Sequence, residues 1–154
     1  MKADQNKEIS YIAYNHYDGN NEHRLTISNL RIRKMNKFDL EERLIEFSVL
    51  IIEITKDMPN NYASNHLAKQ LLRSGTSVSL NYGEVQSGES RKDFVHKLKV
   101  VLKELRETLI NLKIIERTGL YSTHSLIVKA KRENNELISI FVKSIETAQK
   151  NMNS

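Results

Sequence analysis

The stretch "RSGTSVSLNYGEVQSGESRKDF", residues 73–94, decides how the chain is read. Its serines, threonines and glycines fit either a loop that cradles a phosphate or a helix with one face of small side chains. A phosphate-binding loop of the Walker type needs G-x-x-x-x-G-K-[ST], so that successive N–H groups aim at phosphate while the lysine neutralises it. Here Gly75 and Gly83 are too far apart for that loop, Glu89 follows Gly88, and no lysine stands next to either pair. The loop reading fails on spacing and on charge. Placed on a helix at about 100° per residue, the same letters sort by face. Leu67, Leu71, Val78, Tyr82 and Val85 make an apolar row. Leu72, Thr76, Ser79 and Gly83 make a close-packing stripe beside it, expected to meet another helix or another subunit. Arg73, Ser77, Asn81 and Glu84 make a polar face within about 80°, expected to form a hydrogen-bond network or part of an interface. Only "QSGES", residues 86–90, is left as a turn.

Working outward, three more amphipathic segments share this helix's character. Upstream, Asp39 with Glu42 makes a capping box, followed by Leu40, Leu44, Phe47, Ile51 and Ile54 at helical spacing until "MPNN" stops the run. Downstream, Ser90 with Asp93 makes a second capping box that launches Phe94, Leu98, Val101, Leu105, Leu109, Leu112 and Ile115, and Gly119 ends the run as a left-handed cap. Ser122 is the expected cap of a last segment carrying Leu126, Ile127, Ala130, Leu137, Ile138, Phe141 and Ile145, with Asn134 on its core side as a buried polar group. Four long helices joined by short turns pack as an antiparallel up-down bundle. The expected fold class is therefore all-α, a four-helix bundle over residues 35–154. Residues 1–34 keep no period of 3.6 or 2 and read as a loosely ordered N-terminal extension, and Met35, followed at once by helical text, marks an alternative start.

Composition narrows the chemistry. The chain has 154 residues, enough for one domain with its own core, and no cysteine, which removes thiol catalysis and cysteine-ligated metals and suits a reducing cytoplasm. No long apolar run indicates a signal peptide or a membrane span. The five histidines include no H-x-x-x-H pair, so neither a metal nor another cofactor is expected, and a lone carboxylate at Glu84 without a histidine makes a poor acid–base site.

The segment "LAKQLLRSGTSVSLNYGEVQSGESRKDFVHKLKVVLKELRETL", residues 67–109, resembles the four-helix-bundle proteins encoded by intervening sequences in bacterial 23S ribosomal RNA genes. Arg73, Ser77, Asn81, Glu84, Ser90 and Phe94 carry the resemblance. Val78 or Ser79 stands where that family commonly has proline, and Val85 where a glycine follows the glutamate. The resemblance implies an antiparallel bundle that assembles with copies of itself into a pentameric ring. It also implies likeness in fold to accessory proteins of diversity-generating retroelements, which bind a nucleic-acid enzyme and nucleic acid. It implies no defined reaction.

Charge gives a second, independent clue. The net charge is +5, and on the third helix Lys92, His96, Lys99, Lys103, Arg106, Lys113 and Arg117 fall within about 100° of one another, opposite the apolar row. Six of these, Lys92, Lys99, Lys103, Arg106, Lys113 and Arg117, are the candidate contacts to RNA or DNA phosphates. Glu104 and Glu107 flank the stripe and offer a competing outcome, self-pairing on a solvated face. The first helix is acidic, so a further alternative is an assembly module in which acidic and basic faces of neighbouring copies meet. An enzyme is not expected.

Overall fold

The computed structural model describes residues 37–85, 87 and 90–151; the N-terminal extension lies outside them. Four helices follow in order: α1 (Lys37–Lys56), α2 (Tyr62–Val85), α3 (Arg91–Thr118) and α4 (His124–Lys150). α1 packs on α2, α2 on α3 and α3 on α4, and a lighter α1–α4 contact closes the bundle. The expected all-α four-helix bundle is the fold observed.

The apolar rows read from the sequence form the core. Leu44, Ile51, Ile54, Leu71, Val78, Tyr82, Leu105, Leu112, Ile115, Leu137 and Phe141 are completely buried. The Tyr82 ring meets Phe141 edge-on, with centroids 5.9 Å apart and planes at 87°, the arrangement that sets a positive ring edge against a negative face. Burial, with a smaller contribution from the Glu41 charge, pushes the Tyr82 phenol's pKa up, and its hydroxyl has no partner in the described structure. Asn134 is likewise completely buried, as its place on the core side implies, with both amide atoms unpartnered.

The helix ends follow their local chemistry, with two corrections. Ser90 caps α3: its backbone is extended (φ −142°, ψ 164°) and its hydroxyl accepts from the Asp93 N–H at 3.1 Å. Gly119 closes α3 at φ +65°, and its N–H donates to the Glu116 carbonyl at 3.3 Å. Asp39 is not a cap, because α1 begins at Lys37 and Asp39 lies within its first turn, where a carboxylate favours the positive helix end. Thr123, not Ser122, is the α4 cap residue; it makes no side-chain cap bond, and the turn is held instead by backbone bonds to the Ser122 and Thr123 carbonyls.

Two interhelix seams fix α2. Toward α1, a Cβ on Gly75 would stand 2.7 and 2.8 Å from Ile51 Cγ2 and Cγ1, so the helices meet closer than any side chain would permit. Ser48 Oγ sits in the same seam, 3.1 Å from the Gly75 carbonyl and 3.0 Å from Ser79 Oγ. Toward α3, Thr108 Oγ1 donates to Ser74 Oγ at 3.0 Å, which donates on to the Gln70 carbonyl at 3.1 Å. Above this buried chain Arg73 pairs with Glu107.

Candidate nucleic-acid interface

α3 owes its two-sidedness to the placement of its apolar letters. Phe94, Leu98, Val101, Leu105, Leu112 and Ile115 are buried, which turns the cationic positions outward. Lys92, His96, Lys99, Lys103, Arg106 and Arg117 are exposed and Lys113 is half-buried. The candidate contacts therefore share one outward face running the length of a 28-residue helix.

Whether such a face is available depends on its own carboxylates, and of the four on α3 three pair elsewhere and one is buried. Asp93 takes Lys97 at 3.0 Å one turn on, Glu107 takes Arg73 of α2, and Glu116 takes Lys131 of α4 at 2.5 Å. The hydrogen bond from Lys131 holds the Glu116 carboxyl below its ordinary pKa. Glu104 is turned inward and buried, and its Oε2 has no partner. Among the described residues no carboxylate lies within ion-pair distance of Lys92, Lys99, Lys103, Arg106, Lys113 or Arg117. The self-pairing by Glu104 and Glu107 that the sequence offered as a competing outcome does not occur.

Sequence reasoning missed that the face is not purely cationic. Ile110 (55% exposed) and Ile114 (40%) stand in it, four residues apart, between Arg106 and Arg117. Their positions on the helical wheel coincide with those of the lysines, so the signal was present, masked by the habit of assigning isoleucine to a core.

The polar face of α2 does not close into one network. Asn81 Nδ2 donates to the Ser77 carbonyl at 2.7 Å, Arg73 leaves for Glu107, and Glu84 is exposed at the helix end, its carbonyl accepting from Ser87 Oγ at 2.9 Å. The antiparallel neighbour puts a carboxylate beside Arg73, whereas the amide of Asn81 reaches its own preceding turn. The stripe of Leu72, Thr76, Ser79 and Gly83 also divides. Ser79 faces α1, while a Cβ on Gly83 would meet nothing within 4 Å and Leu72 is exposed, so close approach within the chain is made at Gly75 instead. At the α1–α4 seam Arg43 reaches Glu133 and Glu136, each at 2.5 Å. The Glu133 hydrogen bond does most to raise the guanidinium pKa, against the lowering effect of burial. Among the described residues no group of three or more His, Asp or Glu side chains is placed to hold a metal ion, and no helix is long and apolar enough to cross a membrane.

The fold and the outward cations define a small helical-bundle protein with one cationic, solvent-facing helix. Residues 36–143 match the family model described as 23S rRNA-intervening sequence protein, and the chain belongs to that family. It is also similar to a crystal structure of a protein with unknown function from the S23 ribosomal protein family of Bacteroides thetaiotaomicron VPI-5482. The two share 28% identity over 71% of this chain and 97% of that one, with a TM-score of 0.64. No curated protein matches the chain. The family's function is unknown and these likenesses indicate no catalytic family.

Proposed function

We propose that the protein is a non-enzymatic, cytoplasmic, homo-oligomeric bundle that holds the phosphate backbone of RNA or DNA along the outward face of α3. The observation that carries this reading is that every α3 carboxylate is paired elsewhere or buried, which leaves Lys92, Lys99, Lys103, Arg106, Lys113 and Arg117 without an acidic partner among the described residues. Cations on one face attract a polyanion mainly by releasing its condensed counterions, so affinity falls steeply with salt, by on the order of a thousandfold between 50 and 200 mM for about six phosphate contacts. A ring of copies, pentameric by the resemblance stated above, would repeat the stripe around one assembly and sum its field. The test is retention of a labelled RNA or DNA oligomer by the triple variant Lys99→Glu, Lys103→Glu, Arg106→Glu, with helicity and oligomer size followed in parallel. Retention at low salt is expected to drop by at least about a hundredfold while both controls stay unchanged, since each reversed charge removes one contact and adds a repulsion. Undiminished retention removes the proposal.

A second reading rests on Ile110 and Ile114. Apolar side chains ringed by cations suit a protein surface that carries its own carboxylates, and the exposed Glu42, Glu46 and Glu53 of α1 in a neighbouring copy supply one. A protein that retains no nucleic acid at low salt yet forms an oligomer that salt dissociates would establish this assembly role in place of the first.

A further inference from the structure

Two faces of the bundle complement one another and cannot meet within one chain. On α1, Ile45 and Val49 are each 41% exposed, one helical turn apart, and Glu42, Glu46 and Glu53 are exposed beside them. On α3, Ile110 and Ile114 have the same spacing, with Arg106, Lys113 and Arg117 around them. Both sets lie opposite the buried row of their own helix. α1 packs on α2 and α4 and not on α3, so α1 and α3 stand diagonally in the bundle and their outer faces look to opposite sides. Among the described residues Glu42, Glu46 and Glu53 have no cation within ion-pair distance, just as the α3 cations have no carboxylate.

We propose that the outer face of α1 in one copy of this chain docks antiparallel on the C-terminal half of α3 in the next copy. Setting Val49 opposite Ile110 puts, in one and the same register, Ile45 opposite Ile114, Glu46 opposite Lys113, Glu42 opposite Arg117 and Glu53 opposite Arg106. Two apolar pairs thus stand among three pairs of opposite charge, and no like charges meet. The parallel alternative fails, because Ile45 opposite Ile110 and Val49 opposite Ile114 would set Glu42 against Glu107 and leave Glu46 and Glu53 facing Asn111 and Thr118. The antiparallel register also limits itself. One turn past Glu53, Lys56 would meet Lys103, and just past Arg117 the α3 helix stops at Thr118. The contact is therefore about 17 Å long, from Glu42 to Glu53 at 1.5 Å per residue, with Glu53 and Arg106 as its outermost and weakest pair. It rests on the assembly reading of Ile110 and Ile114 and names the surface they meet. It also divides the stripe, since Lys113 and Arg117 go to the neighbouring copy while Lys92, Lys99 and Lys103 stay clear of it. Because the two faces look to opposite sides, the contact joins copies head to tail instead of closing a reciprocal pair.

Charge reversal tests the pairing. One variant carries Glu42→Lys and Glu46→Lys, a second carries Lys113→Glu and Arg117→Glu, and a third carries all four changes. Circular dichroism reports that each is folded, and light scattering over a dilution series in about 50 mM salt reports association, because charge acts over a longer range at low salt. The wild-type chain is expected to associate. Each two-site variant sets like charges face to face, so the concentration at which copies associate is expected to rise at least about a hundredfold. The four-change chain restores opposite charges with their signs exchanged, and is expected to associate within about tenfold of the wild type. A wild-type chain that stays a single copy overturns this pairing and the assembly reading together. If either two-site variant associates as the wild type does, or if the four-change chain stays dissociated, the pairing alone is overturned, because the faces then meet other surfaces. Loss of RNA-oligomer retention by the second variant with its association unchanged would assign the end of α3 to nucleic acid, and this too overturns the pairing.

Discussion

On the flank of α2 that meets α1, Gly75 and Ser48 set a distance; on the flank that meets α3, Ser74, Thr108, Arg73 and Glu107 set a set of partners. Both flanks are written in the same small and polar letters, yet they hold by different physics. The first is a steric fit, in which the backbones approach until Ile51 rests on the missing side chain of Gly75. The second is a match of donors to acceptors, which tolerates small movements of either helix but fails if a partner is removed. A steric seam should be broken by adding atoms, and a polar seam by deleting them.

The largest expected effect is at the steric seam. Gly75→Val pushes a branched side chain into Ile51 Cβ and its two γ-carbons, which are close to the backbone and cannot swing away. Overpacking a filled core typically costs about 1–3 kcal/mol and occasionally more, so a loss of about 3 kcal/mol is expected in urea unfolding. Gly75→Ala is expected to lose about 1–2 kcal/mol, because the clash is partly offset by the better helix propensity of alanine. Gly83→Ala, in the same helix, is expected to gain up to about 1 kcal/mol, since nothing opposes the new methyl and the propensity gain stands alone. Equal signs at the two glycines would show that distance does not govern the α1–α2 contact.

These two glycines also mark where the sequence stopped being legible. The apolar rows, the break between Val85 and Arg91, the Ser90 cap and the Gly119 stop follow from periodicity and local backbone chemistry, which act within a few residues and are written in the letters themselves. Which flank of α2 needed a glycine depends on where Ile51 of another helix comes to rest, and no local pattern contains that. The fate of α3's carboxylates was hidden for the same reason. Glu107 sits as near in sequence to Lys103 and Arg106 as a pairing rule asks, but Arg73 of α2 takes it, and Glu104 is carried inward by the turn of the helix. Thus the candidate interface could be located from spacing alone, whereas its availability could be read only from the packed bundle.

The second effect in size belongs to the buried hydroxyl chain. Thr108→Val keeps the shape of the side chain and deletes a hydroxyl that stands 3.0 Å from Ser74 Oγ and 2.8 Å from the Glu104 carbonyl of its own helix, while Ser74 keeps its bond to the Gln70 carbonyl. Because Ser74 keeps a bond of its own and the Glu104 carbonyl lies inside the α3 helix ladder, and valine packs where threonine packed, a loss of about 1 kcal/mol is expected from thermal unfolding. Thr108→Leu would add overpacking and no longer isolate the hydrogen bond. If Thr108→Val is neutral, the hydroxyl chain accompanies the α2–α3 contact without helping to hold it.

The smallest effect is expected at the ion pair above that chain. Arg73 and Glu107 are side by side, but their side chains are 55% and 31% exposed, so water and salt screen much of their attraction. Glu107→Gln should cost no more than about 0.5 kcal/mol at low salt, and less in a molar salt solution. Its larger consequence lies across the helix. With Glu107 neutral, α3 loses a carboxylate one turn from Lys103 and next to Arg106 in the chain, so the outward potential of the stripe rises while its cations stay in place. The same substitution that slightly loosens the α2–α3 seam is therefore expected to tighten retention of a nucleic-acid oligomer at low salt, by a few-fold, an advantage that vanishes as the salt is raised. A stability change without a change in retention would mean that Glu107 serves the seam alone, and that the face of α3 is read by its partners independently of the contacts behind it.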